Sequence, residues 1–139
     1  MQLLSVDRNS ARCKRTTVLG LERGFLATGT ACLRAAEEAL THFDVDILVA
    51  DAETLDDALG DLIGLAEERN AGVTTFLWSR MVLPHFDALT EAFPSLVAVL
   101  GEGIDPRVVI DLGVQYAVPL SSRYRRPRSK RNVPLPLAA

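Results

Sequence analysis

The sequence predicts an α/β domain in which a parallel sheet of five or six strands is doubly wound by helices. Three observations carry this. Ile47-Leu48-Val49-Ala50 stand as four consecutive apolar residues between Asp46 and Asp51, the pattern of a central strand covered on both faces. Strand-like and helix-like segments alternate along the chain, as right-handed βαβ units require. The length, 139 residues, is enough for one core without disulfides or a structural metal.

Gln2 to Val6 is a short apolar run that stops at Asp7-Arg8-Asn9-Ser10, where Asn9 or Ser10 can cap a helix by accepting a free backbone N–H. That helix runs to about Arg23 and ends on Gly24, a residue free to take the left-handed conformation. Phe25 to Thr28 reads as a second strand. Thr30 begins a helix whose residues Leu33, Ala36, Ala39 and Leu40 share one face. Asp46 to Asp51 is the clearest strand. Leu55, Leu59, Leu62, Ile63 and Leu65 then recur with helical period against Asp56, Asp57, Asp61, Glu67 and Glu68 as far as Arg69. Val73 to Trp78 is the fourth strand, Pro84 to Phe93 a helix, and Leu96 to Leu100 the fifth strand. Asp105-Pro106 is an N-cap followed by proline at the first helical position, and Gly113 is expected to close that last helix. Val114 to Val118 is then a sixth strand or a frayed extension.

Composition excludes several classes. Hydrophobic residues make up 48% and charged residues 24%, an ordinary globular balance. No apolar run approaches the roughly eighteen residues that span a bilayer, so no membrane association is expected. The first seven residues lack a basic region before their apolar run, which points to a strand and to a cytoplasmic protein. Cys13 and Cys32 have neither CxxC spacing nor histidine partners and read as buried, reduced thiols.

The net charge of −3 hides an asymmetry. Arg123, Arg125, Arg126, Arg128, Lys130 and Arg131 crowd into one stretch broken by Pro127, Pro134 and Pro136, behind an acidic body. Prolines and like charges oppose packing, so the domain is expected to cover 1–122 and residues 123–139 to form a flexible basic tail. Such a tail can bind a phosphate backbone in a salt-dependent way, or serve only as a solvated terminus.

In open parallel sheets the functional crevice lies at the carboxyl ends of the strands, where strand order reverses. Asp7 ends the first strand and Asp51 the third, so the two acids should meet there. The stretches Leu3-Leu4-Ser5-Val6-Asp7, Ala35-Ala36-Glu37-Glu38-Ala39-Leu40 and Phe43-Asp44-Val45-Asp46-Ile47-Leu48-Val49-Ala50-Asp51 resemble the receiver domains of two-component response regulators. The resemblance implies a flavodoxin-like (CheY-like) three-layer sandwich. It also implies that Asp51 stands at the phosphoacceptor position, where a histidine kinase delivers a phosphoryl group, and that Asp7 with Asp51 stands where the family holds Mg²⁺.

That site is incomplete. Phosphoryl transfer to a carboxylate needs a hard divalent cation held by oxygen ligands. The family supplies two adjacent acids after its first strand, and here the second is Arg8, a candidate phosphate contact that should weaken Mg²⁺ binding. The family's lysine at the end of the fifth strand has no counterpart, because the only lysines are Lys14 and Lys130. If Leu96 to Leu100 is the fifth strand, Gly101 or Glu102 falls there; if Val114 to Val118 is, Val118 does. For the switch hydroxyl the two registers give Ser79 and Gly101, and the switch-like candidates are Ser79 and Tyr116. Met-Pro is also absent after Asp51, where Thr54 and Leu55 stand.

Other constellations read as structural. His42 and His85 lie at helix ends without ligand partners, no serine sits in a GxSxG elbow, and Gly101-Glu102-Gly103 carries an acid where a phosphate loop would need to attract an anion. Trp78 reads as core. The sequence therefore predicts a non-enzymatic, atypical receiver-like regulatory module, with no cofactor or only weakly bound Mg²⁺, that docks a protein: a kinase, an output protein or itself. Two alternatives remain. The run from Asp46 to Gly113 also resembles the N-terminal wing domain of bacterial basic amino-acid decarboxylases, and the tail could make this a small nucleic-acid-associated protein.

Overall fold

The computed structural model describes residues 1–80 and 86–123. In chain order its elements are β1 (Gln2–Val6), α1 (Ser10–Glu22), β2 (Leu26–Thr30), α2 (Leu33–His42), β3 (Ile47–Asp51), α3 (Ala52–Leu55), a 3₁₀ turn (Asp56–Ala58), α4 (Leu59–Arg69), β4 (Thr74–Trp78), α5 (Phe86–Ala92), β5 (Leu96–Leu100) and α6 (Pro106–Arg123). The five strands form one sheet in the order β2-β1-β3-β4-β5, and every pairing is parallel. No helix among the described residues is long and apolar enough to cross a membrane.

Strand residues alternate between two cores, as the period of two demands. Leu4, Val6, Leu48, Ala50 and Leu77 pack with residues of α2 and α4 on one face. Leu3, Ile47, Val49, Phe76 and Trp78 pack with Leu19 of α1 and Val109 and Ile110 of α6 on the other. Of the three inner strands, β3 and β4 are buried at every residue and β1 at all but Gln2, whereas β2, at one edge, is largely exposed. The two helices of the second face are also bridged at the surface by Arg15 with Asp105 at 3.1 Å and Arg23 with Asp111 at 2.6 Å.

Asn9 caps α1 by accepting the Arg12 N–H, and Gly24 turns the chain with φ +87°, both as the sequence indicates. Elsewhere the boundaries differ. β2 extends to Thr30, and α2 starts only at Leu33, because an exposed edge strand of Thr28, Gly29 and Thr30 carries no apolar signal. The predicted helix from Leu55 is broken: Leu55 ends α3, Asp56 has φ +48°, and α4 begins at Leu59.

Of the two readings of Val114 to Val118, a sixth strand or an extension of the helix, the structure has the helix, and the correction concerns Gly113. Gly113 lies in the middle of α6, where a Cβ would come within 2.8 Å of Ile47 Cδ1. The glycine lets α6 approach β3 closely, and it does not stop the helix. α6 accordingly runs on to Arg123. Pro84 and His85, and the tail beyond Arg123, lie outside the described residues.

Candidate functional site

β1 and β3 are neighbours in parallel register, with Val6 opposite Ala50, so the residues that follow emerge side by side at the carboxyl edge. These are Asp7 and Asp51. β2 lies to one side of β1 and β3 to the other, so the pair sits where the sheet changes winding direction, as the sequence indicates. Both acids are buried, and the Asp7 side chain is fully so.

A third residue joins them. Arg12 lies in the first turns of α1 and turns its side chain back into the crevice. Its Nε donates to Asp7 Oδ2 at 2.6 Å and its Nη2 to Asp7 Oδ1 at 2.9 Å, a forked pair. The same Nη2 lies 3.2 Å from Asp51 Oδ1, so the two acids are close enough to share one nitrogen. The guanidinium rests over Trp78, 4.6 Å from the ring centroid. Trp78 Nε1 has no hydrogen-bond partner among the described residues, so the indole contributes its face and its volume. Burial works against the charge on Arg12, but its hydrogen bonding to Asp7 and the charges of Asp7 and Asp51 outweigh it and hold the guanidinium above its ordinary pKa.

One oxygen of each carboxylate also has partners other than Arg12. Asp7 Oδ1 accepts the Asn9 N–H at 2.9 Å. Asp51 Oδ2 caps α3, accepting the Thr54 N–H at 3.1 Å and its hydroxyl at 2.5 Å. With Arg12 in place, the pair does not fit a divalent cation, whose oxygen ligands at roughly 2.0–2.6 Å would have to be the same atoms. Among the described residues no cluster of three or more acidic, histidine or cysteine side chains is placed to hold a metal.

Arg8, the expected phosphate contact, is exposed, and its backbone N–H donates to Thr54 Oγ1 at 3.1 Å. Ser79 does end β4 beside the site. Its hydroxyl donates to Glu53 Oε2 at 3.1 Å, and the Arg80 N–H donates to Glu53 Oε1 at 3.1 Å. With β5 at Leu96–Leu100, Gly101 and Glu102 follow it, both exposed, and neither is a cation. Tyr116 lies on the outer side of α6, 49% exposed, and not at a strand end.

Cys13 is buried as expected, but Cys32 is exposed at the start of α2. His42 caps its own helix, with Nδ1 2.9 Å from the Glu38 carbonyl. Arg123 ends α6, while Arg125, Arg126, Arg128, Lys130 and Arg131 lie outside the described residues.

Arg12, Glu53 and Thr54 are the site residues that sequence reasoning missed. Two had a local signal. Arg12 is three residues after the N-cap Asn9, on the turn that must face the crevice, and Asp51-x-x-Thr54 has the spacing of a side-chain helix cap.

No protein-family model matches the chain, and no curated protein is similar to it. Solved structures are. A CheY-like response-regulator receiver domain from Methanospirillum hungatei superimposes with a TM-score of 0.75 at 13% identity, over 88% of this chain and 98% of that one. The signal receiver domain of an HD-domain-containing protein from Pseudomonas fluorescens gives 0.72 at 15%, over 88% and 98%. A protein described as pilus assembly-related, from Burkholderia pseudomallei, gives 0.61 at 24%, over 85% and 90%. The sheet order, the flanking helices and these superpositions together establish that the chain has the CheY-like fold of response-regulator receiver domains.

Proposed function

We propose that this chain is a receiver-fold regulatory module that acts by docking a protein partner and does so without being phosphorylated. The observation that carries this is Arg12. A guanidinium bound to Asp7 at 2.6 and 2.9 Å and to Asp51 at 3.2 Å supplies from within the chain the positive charge that phosphoryl transfer to a carboxylate takes from a metal ion. It bridges the two acids and fills the space between them with its own charge. Gly101 and Glu102 after β5 add no cation that would follow an incoming phosphate inward, and Arg8 is exposed. On this reading the chain has no catalytic activity of its own, and its output is a constant surface.

Structures with this fold include pilus assembly-related proteins as well as receiver domains, so the fold is compatible with a docking role outside a phosphorelay. The basic tail, through which nucleic acid could bind, is secondary in this proposal.

The test is intact-mass measurement after incubation with acetyl phosphate and Mg²⁺. The expected result is no mass increase of one phosphoryl group at Asp51. A stoichiometric phosphorylated form, absent in Asp51→Asn, would overturn the proposal.

A further inference from the structure

The short helix α3 is tied by polar side chains to three different parts of the carboxyl edge. Glu53 reaches the end of β4, where one oxygen accepts the Ser79 hydroxyl and the other the Arg80 N–H, each at 3.1 Å. Thr54 donates its N–H and its hydroxyl to Asp51 Oδ2. The same hydroxyl oxygen accepts the Arg8 N–H at 3.1 Å, which ties in the loop after β1. Asp56 then closes the turn with φ +48° and ψ −118°, the first central position of a type II′ turn and ordinarily a place for glycine. Strain of that kind persists only while the surroundings over-determine it.

We infer that α3 is a strap in which Glu53 is the positioning residue for the start of the segment after β4, and that Asp51 sets the strap through its cap on Thr54. A helix of four residues has no stability of its own, since nucleation is unfavourable and propagation has no length to repay it. Its geometry is therefore imposed by its ends: the Asp51 carboxylate at one and the strained Asp56 at the other. Glu53 can place its two oxygens on two separate donors only while that geometry holds. Ser79 is 5% exposed, so its hydroxyl depends on acceptors within the protein. A change of charge or ligands at Asp51 Oδ2 removes the cap, the strain at Asp56 favours reopening of the turn, and Glu53 lets go of Arg80. The inference goes beyond the docking proposal and does not depend on it, because it concerns how the crevice is mechanically joined to the surface beside β4.

The test is residue-resolved amide exchange on the full chain, comparing wild type with Glu53→Ala, Asp51→Ala and, as a control, Glu102→Ala. The amide of Arg80 is read against amides of β3 and β4 as a measure of intact fold. Glu53→Ala should speed exchange at Arg80 about tenfold, the scale expected for losing a hydrogen bond to a charged acceptor. Asp51→Ala should give the same rise although Glu53 is untouched, and Glu102→Ala should give none. Unchanged Arg80 exchange in Glu53→Ala overturns the strap. A rise in Glu53→Ala without one in Asp51→Ala overturns its control by Asp51. If Asp51→Ala loses protection in β3 as well, Thr54→Val replaces it, with the same two outcomes.

Discussion

Arg12 reaches back five residues to grip both oxygens of Asp7, and one of the nitrogens that does so also touches Asp51. The crevice of this receiver fold is thus closed by an ion triad built from β1, α1 and β3. Pairing two carboxylates with one guanidinium leaves a formal charge of −1 in a largely buried place, which favours strong engagement of every donor within reach.

Removing the cation should expose what it offsets. Arg12→Met leaves Asp7 fully buried without its partner, and unfolding should become easier by about 3 kcal/mol or more. Adding Mg²⁺ should recover part of that loss in the variant, because the two carboxylates are then available as oxygen ligands, and should do nothing for wild type. Thermal unfolding with and without Mg²⁺ reads both effects.

The strained turn makes an opposite prediction. Asp56 occupies φ +48°, ψ −118°, where a Cβ is unfavourable. Asp56→Gly should stabilise the fold by about 1 kcal/mol, the relief of strain exceeding the added freedom of the unfolded chain. Asp56→Val should destabilise it by a similar amount or more. Urea unfolding of the two variants beside wild type checks the sign in each direction.

A surface effect of pH should come from Asp105. Its pKa is lowered, first by the Arg107 N–H at 3.0 Å; desolvation opposes this, and the hydrogen bond and charge of Arg15 add to the lowering. A lowered pKa in the folded state contributes stability above the ordinary carboxylate value and loses it as pH falls through the lowered one. The pH dependence of unfolding in the acid range should therefore be shallower in Asp105→Asn than in wild type. Because the group is exposed, the difference should shrink further in high salt.

The sheet was legible because its central strands are apolar on both faces and end in acids. β1, β3, β4 and β5 fall within a residue or so of where the pattern puts them. What misled the reading was residue types with two uses. Gly113 reads as a helix stop, yet it serves close packing of α6 on Ile47. β2 is an edge strand whose exposed face has no reason to be apolar, so its end merged with the next helix. At the site, Asp7, Asp51 and Ser79 were legible because they terminate strands. The compensating charge was placed on Arg8, adjacent to Asp7 in sequence, whereas the turn of α1 brings Arg12 there in space. Glu53 carried no local signal, since its partners Ser79 and Arg80 lie across the crevice on another strand.

The central claim is that Arg12 already does the work of a cation at this site, and beryllofluoride, which imitates a phosphoryl group on a carboxylate, tests it most directly. Residue-resolved amide exchange would be measured for wild type and Arg12→Ala, with and without Mg²⁺ and beryllofluoride. The account predicts no change in wild type around Asp51 and Ser79, and added protection there only in a folded Arg12→Ala. Stoichiometric binding by wild type, with protection around Asp51 and Ser79 that Asp51→Asn abolishes, would contradict it.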